Sequence, residues 1–185
     1  ELVVFHDQMV DSLTDGKGMI ESLSLDSIKK LSLLGKEKIP TLVEVLDLIN
    51  GKVILNIELK GSNTAFLTHQ LLKSYFESSL WRPEKVFISS FNWDELRAFY
   101  QLNKEIKIAI LIEKTDPVNA IEIAKDLNAF AINSDYTFLN NKNISIIKSK
   151  NLMVYAWTVN KFKDIRKMKS LGVDAIISDY PERVK

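Results

Sequence analysis

Between Gly51 and Gly61 the chain reads Val53-Ile54-Leu55-Asn56-Ile57-Glu58-Leu59-Lys60, with glycine on either side of a β-branched, apolar run. Such a run predicts a strand, whose successive side chains point to opposite faces. Val53, Leu55, Ile57 and Leu59 then make one wholly apolar face, and Ile54, Asn56, Glu58 and Lys60 the other. With helices covering the first face, the second points into the centre of a closed sheet. A bare carboxylate buried there costs several kcal/mol. The pattern therefore predicts a partner for Glu58, either a cation or Lys60 on the same face. A Glu58–Lys60 pair at a solvated sheet end reads equally well from this strand alone.

The rest of the chain follows the same logic. Leu2 to Phe5 predicts a short apolar strand ending in His6-Asp7, and Asp15-Gly16 and Gly18 mark a polar loop after it. Ser24 is the predicted cap of a helix running to Leu34, with Gly35 as its stop. Thr41 and Glu44 stand at capping-box spacing before a short helix with Leu42, Val45, Leu46 and Ile49 inward, which Gly51 ends. Beyond Glu58, helices are predicted at about 64–80, after Asn92 (with Glu95 at the capping-box position), from Asp116-Pro117 to Leu127, around Ile144 and Ile147, and from a cap at Asn160 to Gly172. Between them lie predicted strands at 86–91, 107–112, 129–133, 152–159 and 173–178. Strands alternating with helices imply a parallel sheet. Glu58, Lys60, Ser90, Asn133, Trp157-Thr158 and Ser178-Asp179 fall at the strands' C-terminal ends, the rim where a βα barrel carries its site. A doubly wound open sheet is the alternative, but no strand leads into a Gly-rich phosphate loop.

Composition narrows the function. A length of 185 residues suits one domain with a sizeable core. A net charge of +1 gives no case for nucleic acid or an anionic membrane as partner. No apolar run approaches the ~18 residues of a membrane span, which argues against stable membrane insertion. The absence of cysteine removes disulfides and thiolate chemistry and leans toward a cytoplasmic home. Two histidines without cysteine disfavour structural zinc. The chain opens in mid-strand, with no initiator Met or leader, so residues upstream are expected, a signal peptide among the options.

Seven segments, taken in order, carry a resemblance that covers the whole chain. They are Leu2-Val3-Val4-Phe5-His6-Asp7, Asp15-Gly16-Lys17-Gly18, Ile39-Pro40-Thr41-Leu42, Asn56-Ile57-Glu58-Leu59-Lys60, Ile88-Ser89-Ser90-Phe91, Ala156-Trp157-Thr158-Val159-Asn160, and Gly172 through Pro181. Each is weak alone; their order and spacing together resemble the glycerophosphodiester phosphodiesterases. The resemblance implies an α/β fold, the TIM (β/α)₈ barrel. It also implies metal-dependent hydrolysis of glycerophosphodiesters to glycerol 3-phosphate and an alcohol, by two-histidine general acid/base catalysis. The six strands from Glu58 onward become barrel strands three to eight, and Leu2–Phe5 the return arm of a hairpin above the rim. Family members also carry His-Arg-Gly on the first strand and Glu-x-Asp on the second. Neither is in this sequence, and the first holds one of the two catalytic histidines. Six strands leave two long edges, and a typical barrel has ~250 residues. The expectation is a single barrel domain over 1–185, N-terminally incomplete, with the first two strands missing.

By resemblance, Glu58 is a ligand of a divalent metal ion, Mg²⁺ or Ca²⁺, hard cations that take oxygen ligands. His6 is the general acid that protonates the departing alcohol, a task a near-neutral imidazole suits; from the residues alone it reads as a structural strand-end histidine. In-line attack by the glycerol 2-hydroxyl, giving a cyclic phosphate that water opens, completes the implied reaction. Lys60 contacts the phosphate as a point charge. Trp157, inward with Met153 and Tyr155, shapes a glycerol pocket, although an aromatic on a strand is more often plain core. Phe91 joins it as a substrate-binding position, and Ser90, Asn133 and Asp179 are further rim candidates. Asp7 either orients a neighbour or caps the turn. His69 is expected on a surface face without a role, and Lys161, Lys163, Lys167 and Lys169 on a solvated helix face. The implied partner is a small-molecule glycerophosphodiester. Two other readings stay open: a lysophospholipase D with a wider apolar cleft, and a catalytically dead barrel that only binds phosphate esters.

Overall fold

Two helices in the first third of the chain begin at the polar caps that the sequence predicts. Ser24 accepts a hydrogen bond from the Ser27 N–H at the start of α1 (Leu25–Lys30). Thr41 and Glu44 form a reciprocal capping box at the start of α2 (Leu42–Ile49), the Thr41 N–H donating to the Glu44 carboxylate at 2.7 Å. The computed structural model describes residues 1–78 and 81–185, which form two compact units: Glu1–Ile54 with Gly61–Lys85, and Leu55–Lys60 with Val86–Lys185.

In the first unit, α1 stops at Lys30, short of the predicted end at Leu34. The Lys38 ammonium donates to the carbonyls of Lys30 and Leu31, and Leu33 pairs with Thr14 and Glu37, so the backbone is drawn out of the helix. Gly35, at φ +78°, serves the tight turn that follows and not a helix end. Leu2–Phe5 forms one antiparallel bridge, Val3 to Thr41, in place of the predicted strand. Helix α3 (Thr64–Ser78) buries Ala65, Thr68 and Leu72 on one stripe; the last two positions of its predicted span, 79 and 80, lie outside the described residues. The fully buried Trp81 donates its indole N–H to the Leu46 carbonyl at 3.0 Å. His69 is half-buried on α3, and not on an exposed face as predicted.

The Tyr75 hydroxyl ties α3 to α2 by donating to Asp47 Oδ1 at 2.6 Å. Desolvation first, then the hydrogen bond to Asp47 and its charge, push the phenol up to about 12. An unfolded tyrosine titrates near 10. The folded state therefore holds this proton more tightly, and the contribution is complete below pH ~10 and lost as pH rises toward 12. Tyr75→Phe should flatten the fall of the melting temperature between pH 9.5 and 11.5, measured by circular dichroism; an unchanged slope would rule this contribution out.

In the second unit six strands form one parallel sheet in sequential order: β1 (Leu55–Glu58), β2 (Val86–Ser90), β3 (Lys107–Ile112), β4 (Ala131–Asp135), β5 (Met153–Trp157) and β6 (Ala175–Ile176). A doubly wound sheet would reverse its order at a switch point, and this one does not. Helices α4 (Trp93–Leu102), α5 (Ile121–Asp126), α6 (Asn141–Lys148) and α7 (Phe162–Leu171) fill the crossovers. Ile88, Ile108, Ile110, Ile132 and Val154, all essentially without solvent exposure, make the sheet face beneath the helices. Burial of each such side chain is worth about 1.5–3 kcal/mol.

Inward rings show that the sheet curls. Strands β2 and β5 are three spacings apart, which on a flat sheet is about 14 Å. Yet Phe87 and Tyr155 meet edge to face at 6.3 Å, and Phe91 and Trp157 at 5.4 Å. This curled, sequential parallel sheet with helices on its outer face is the architecture of the α/β TIM barrel, and six of its strands are present among the described residues.

Local predictions mostly hold, with informative exceptions. Asn92 and Asp116 cap as predicted, Asn140 supplies an unpredicted cap for α6, and Gly172 closes α7 at φ +74°. The stretch after Asp116 is a 3₁₀ turn over Pro117–Ala120 before α5 begins. Asn160 does not cap α7. Its side chain is taken by Ser178 and Asp179, and Phe162 lies exposed on the helix. Among the described residues, no helix is long and apolar enough to cross a membrane.

Candidate active site

Strand register decides which side chains share the inner face. Glu58 is level with Ser89, Ser89 with Ala109, and Ala109 with Ala131. Asn133 is level with Tyr155, and Asp135 with Trp157. Glu58 is the last residue of β1, and Lys60 follows two positions later, so both emerge at the C-terminal end. The Lys60 ammonium lies 3.3 Å from Glu58 Oε1, with the two side chains 34% and 30% exposed. The carboxylate thus has the lysine partner that the sequence allowed. A pair this wet adds no more than about 1 kcal/mol of stability, so stability alone does not account for placing two charges there.

Just below, Ser89 Oγ donates to Asn56 Oδ1 at 2.9 Å, a pair the sequence reading missed although both residues have inward parity. Ser90 behaves differently from its neighbour. It is fully buried, donates to the Leu59 carbonyl and accepts from the Asn92 N–H, which fastens β1, β2 and the start of α4. One residue's shift in parity removes it from the inner face, so it is not a rim binding group.

Phe91 and Trp157 form an edge-to-face pair, rings at 84°, and present an apolar wall beside these polar groups. The Trp157 indole N–H is buried without a partner among the described residues. Asn133 is fully buried, and neither its amide oxygen nor its amide nitrogen has a partner among them. Such an orphaned amide costs about 1–3 kcal/mol. Asp179 accepts from Asn160 Nδ2 at 2.7 Å and is occupied in holding the loop after β6. Lys161, Lys163, Lys167 and Lys169 are exposed, as predicted.

His6 belongs to the first unit. Its Nδ1 lies 2.6 Å from Asp7 Oδ1, and the other carboxylate oxygen of Asp7 accepts from Ser12 Oγ at 2.5 Å. A carboxylate accepts only, so the shared proton sits on Nδ1 and Nε2 is the nitrogen left to act. Asp7 thus bridges the His6 ring and the Ser12 hydroxyl. Nothing in the local pattern points to Ser12, five residues away.

A hard divalent cation takes six or more oxygens. Glu58 offers the right donor type, but no group of three or more His, Cys, Asp or Glu side chains that could hold a metal occurs among the described residues. These residues do not by themselves make a metal site.

Residues 1–183 match the glycerophosphoryl diester phosphodiesterase family. The chain is similar to the glycerophosphodiester phosphodiesterase of Caldanaerobacter subterraneus subsp. tengcongensis, at 32% identity over 98% of this chain and 77% of the relative. A glycerophosphodiester phosphodiesterase of Bacillus subtilis is 28% identical over 98% of this chain and 70% of its own. Among solved structures, an Oleispira antarctica phosphodiesterase in complex with the product sn-glycerol-3-phosphate superposes with a TM-score of 0.87 at 28% identity, over 98% of this chain and 77% of that one.

Proposed function

The chain belongs to the glycerophosphoryl diester phosphodiesterase family, a family of phosphoric diester hydrolases, and from that premise we propose that it hydrolyses glycerophosphodiesters to glycerol 3-phosphate and an alcohol. The observation that carries the reading is the Glu58–Lys60 pair at the inner C-terminal end of β1, two charges too exposed for stability to account for their placement. In this reading the Lys60 ammonium draws a phosphoryl oxygen and stabilises charge that grows on it. Phe91 and Trp157 pack the glycerol carbons against their rings. His6, protonated, gives a proton from Nε2 to the departing oxygen as the bond from phosphorus to the alcohol breaks. It is the acid of a two-histidine scheme whose intermediate, a cyclic phosphate, is opened by water. Glu58 is proposed as one ligand of Mg²⁺ or Ca²⁺, which when bound supplies Lewis-acid stabilisation of the phosphoryl oxygens.

The test is release of glycerol 3-phosphate from glycerophosphocholine, followed with and without Mg²⁺ or Ca²⁺. Turnover with one of the two cations is the expected result. Binding of the ester without turnover under every metal condition would overturn the reading in favour of a non-catalytic phosphate-ester-binding barrel.

A further inference from the structure

We propose that Asp7, braced by Ser12, is the positioning residue that fixes the ring and the tautomer of His6; this rests on His6 being the acid for the leaving alcohol. The His6 side chain is 79% exposed. With so much of the ring in solvent, the contact that can set its rotamer is the one to Asp7. At 2.6 Å that contact is as short as charge-assisted hydrogen bonds become. Asp7 is not itself loose. Its second oxygen is held by Ser12, which closes a 3₁₀ turn over Val10–Ser12. That turn is anchored by Val10, which has no solvent exposure and whose N–H donates to the Gly18 carbonyl at 3.0 Å. Asp11 accepts from the Gly18 N–H at 2.8 Å, and the Ile20 N–H donates to the Gln8 carbonyl at 2.9 Å, which closes the 8–20 loop on itself. Rigidity thus passes from a buried valine through a serine and a carboxylate to a largely exposed imidazole. The chemical consequence is specific. An acid must hold its transferable proton on the nitrogen facing substrate, and an acceptor clamped on Nδ1 keeps Nε2 for that purpose.

A leaving-group comparison tests this. An alkoxide leaving group, as in glycerophosphocholine, needs the acid; a p-nitrophenolate leaves without a proton. Asp7→Asn should lower kcat on glycerophosphocholine by about 10–100-fold, by analogy with the loss when the carboxylate that orients a metal-ligating imidazole is removed. It should leave KM unchanged and spare the p-nitrophenyl ester of glycerol 3-phosphate. Ser12→Ala should show the same split at smaller size. Nitrogen shifts of the His6 ring give a readout that does not depend on turnover: an Nδ1–H neutral tautomer in the native protein and a mixture in Asp7→Asn. Equal losses on both substrates, or an unchanged tautomer in Asp7→Asn, would overturn the proposal. The parent reading is separable. If His6→Ala itself slows both substrates alike, His6 is not the acid; if His6→Ala shows the split and Asp7→Asn does not, Asp7 alone loses its role.

Discussion

His6→Ala should lower kcat on a glycerophosphodiester with an alkyl alcohol as leaving group by about 10²–10⁴-fold, the usual contribution of a positioned general acid. The argument is geometric. The side chain follows a short bridge-forming segment, its Nδ1 is held by Asp7, and Nε2 is the nitrogen left to face substrate. With 79% of the side chain in solvent, its removal opens no cavity. Stability should therefore change by no more than about 0.5 kcal/mol, as for other surface substitutions. A thermal melt and a kcat measured on the same preparation separate the two effects. A variant that keeps native kcat would remove His6 from the mechanism, and one that loses kcat only because it melts early would show a structural role.

Glu58→Ala should be as severe in activity and different in kind. If the carboxylate is one ligand of a divalent cation, the loss is a share of the several kcal/mol that a Lewis acid contributes, on the order of 10²–10³-fold at about 1.4 kcal/mol per factor of ten. Native activity should fall on addition of EDTA and return with Mg²⁺ or Ca²⁺. The residual activity of Glu58→Ala should respond to neither. The competing account of Glu58 is the ion pair with Lys60, 3.3 Å away and about a third exposed. A pair of that kind is worth about 0–1 kcal/mol, which limits its removal to a change of roughly fivefold or less in any equilibrium it supports. A small loss of activity, together with native activity that ignores EDTA, would leave the pair as the whole explanation. Lys60→Ala supplies the third point, because the loss of a phosphate contact should raise KM while the metal response persists.

Much of the fold follows from local pattern. The short apolar run along Lys107–Ile112 and the caps at Ser24, Thr41, Asn92 and Asp116 are short-range features, and each appears where the residues call for it. Boundaries fail where a distant group competes. Leu31 leaves its helix because Lys38 and the Leu33 bridges claim the backbone. Asn160 has the chemistry of a cap, but Ser178 and Asp179 reach it across the sheet end and take both ends of its amide. The site divides in the same manner. Period two places Glu58 and Lys60 on one face and makes their pairing foreseeable. The same rule, applied with the strand's true register, separates Ser89, bonded to Asn56, from Ser90, which staples backbone on the other face.

The sequence by itself determined the class of this protein: six strands in alternation with helices, charged and aromatic residues at the strand ends, and segments in the order of one hydrolase family. These features rest on spacing along the chain, which is present before folding. Tertiary structure alone decided the rest. The contact of Phe91 with Trp157, 66 positions apart, exists because the twisted sheet curls and carries β2 toward β5. The hold of Asp7 on His6 is a matter of neighbours, but its bracing by Ser12 needs the 8–20 loop to close on Gly18. The orphaned amide of Asn133 is a fact of burial, set by how completely the strands and rings around it exclude water.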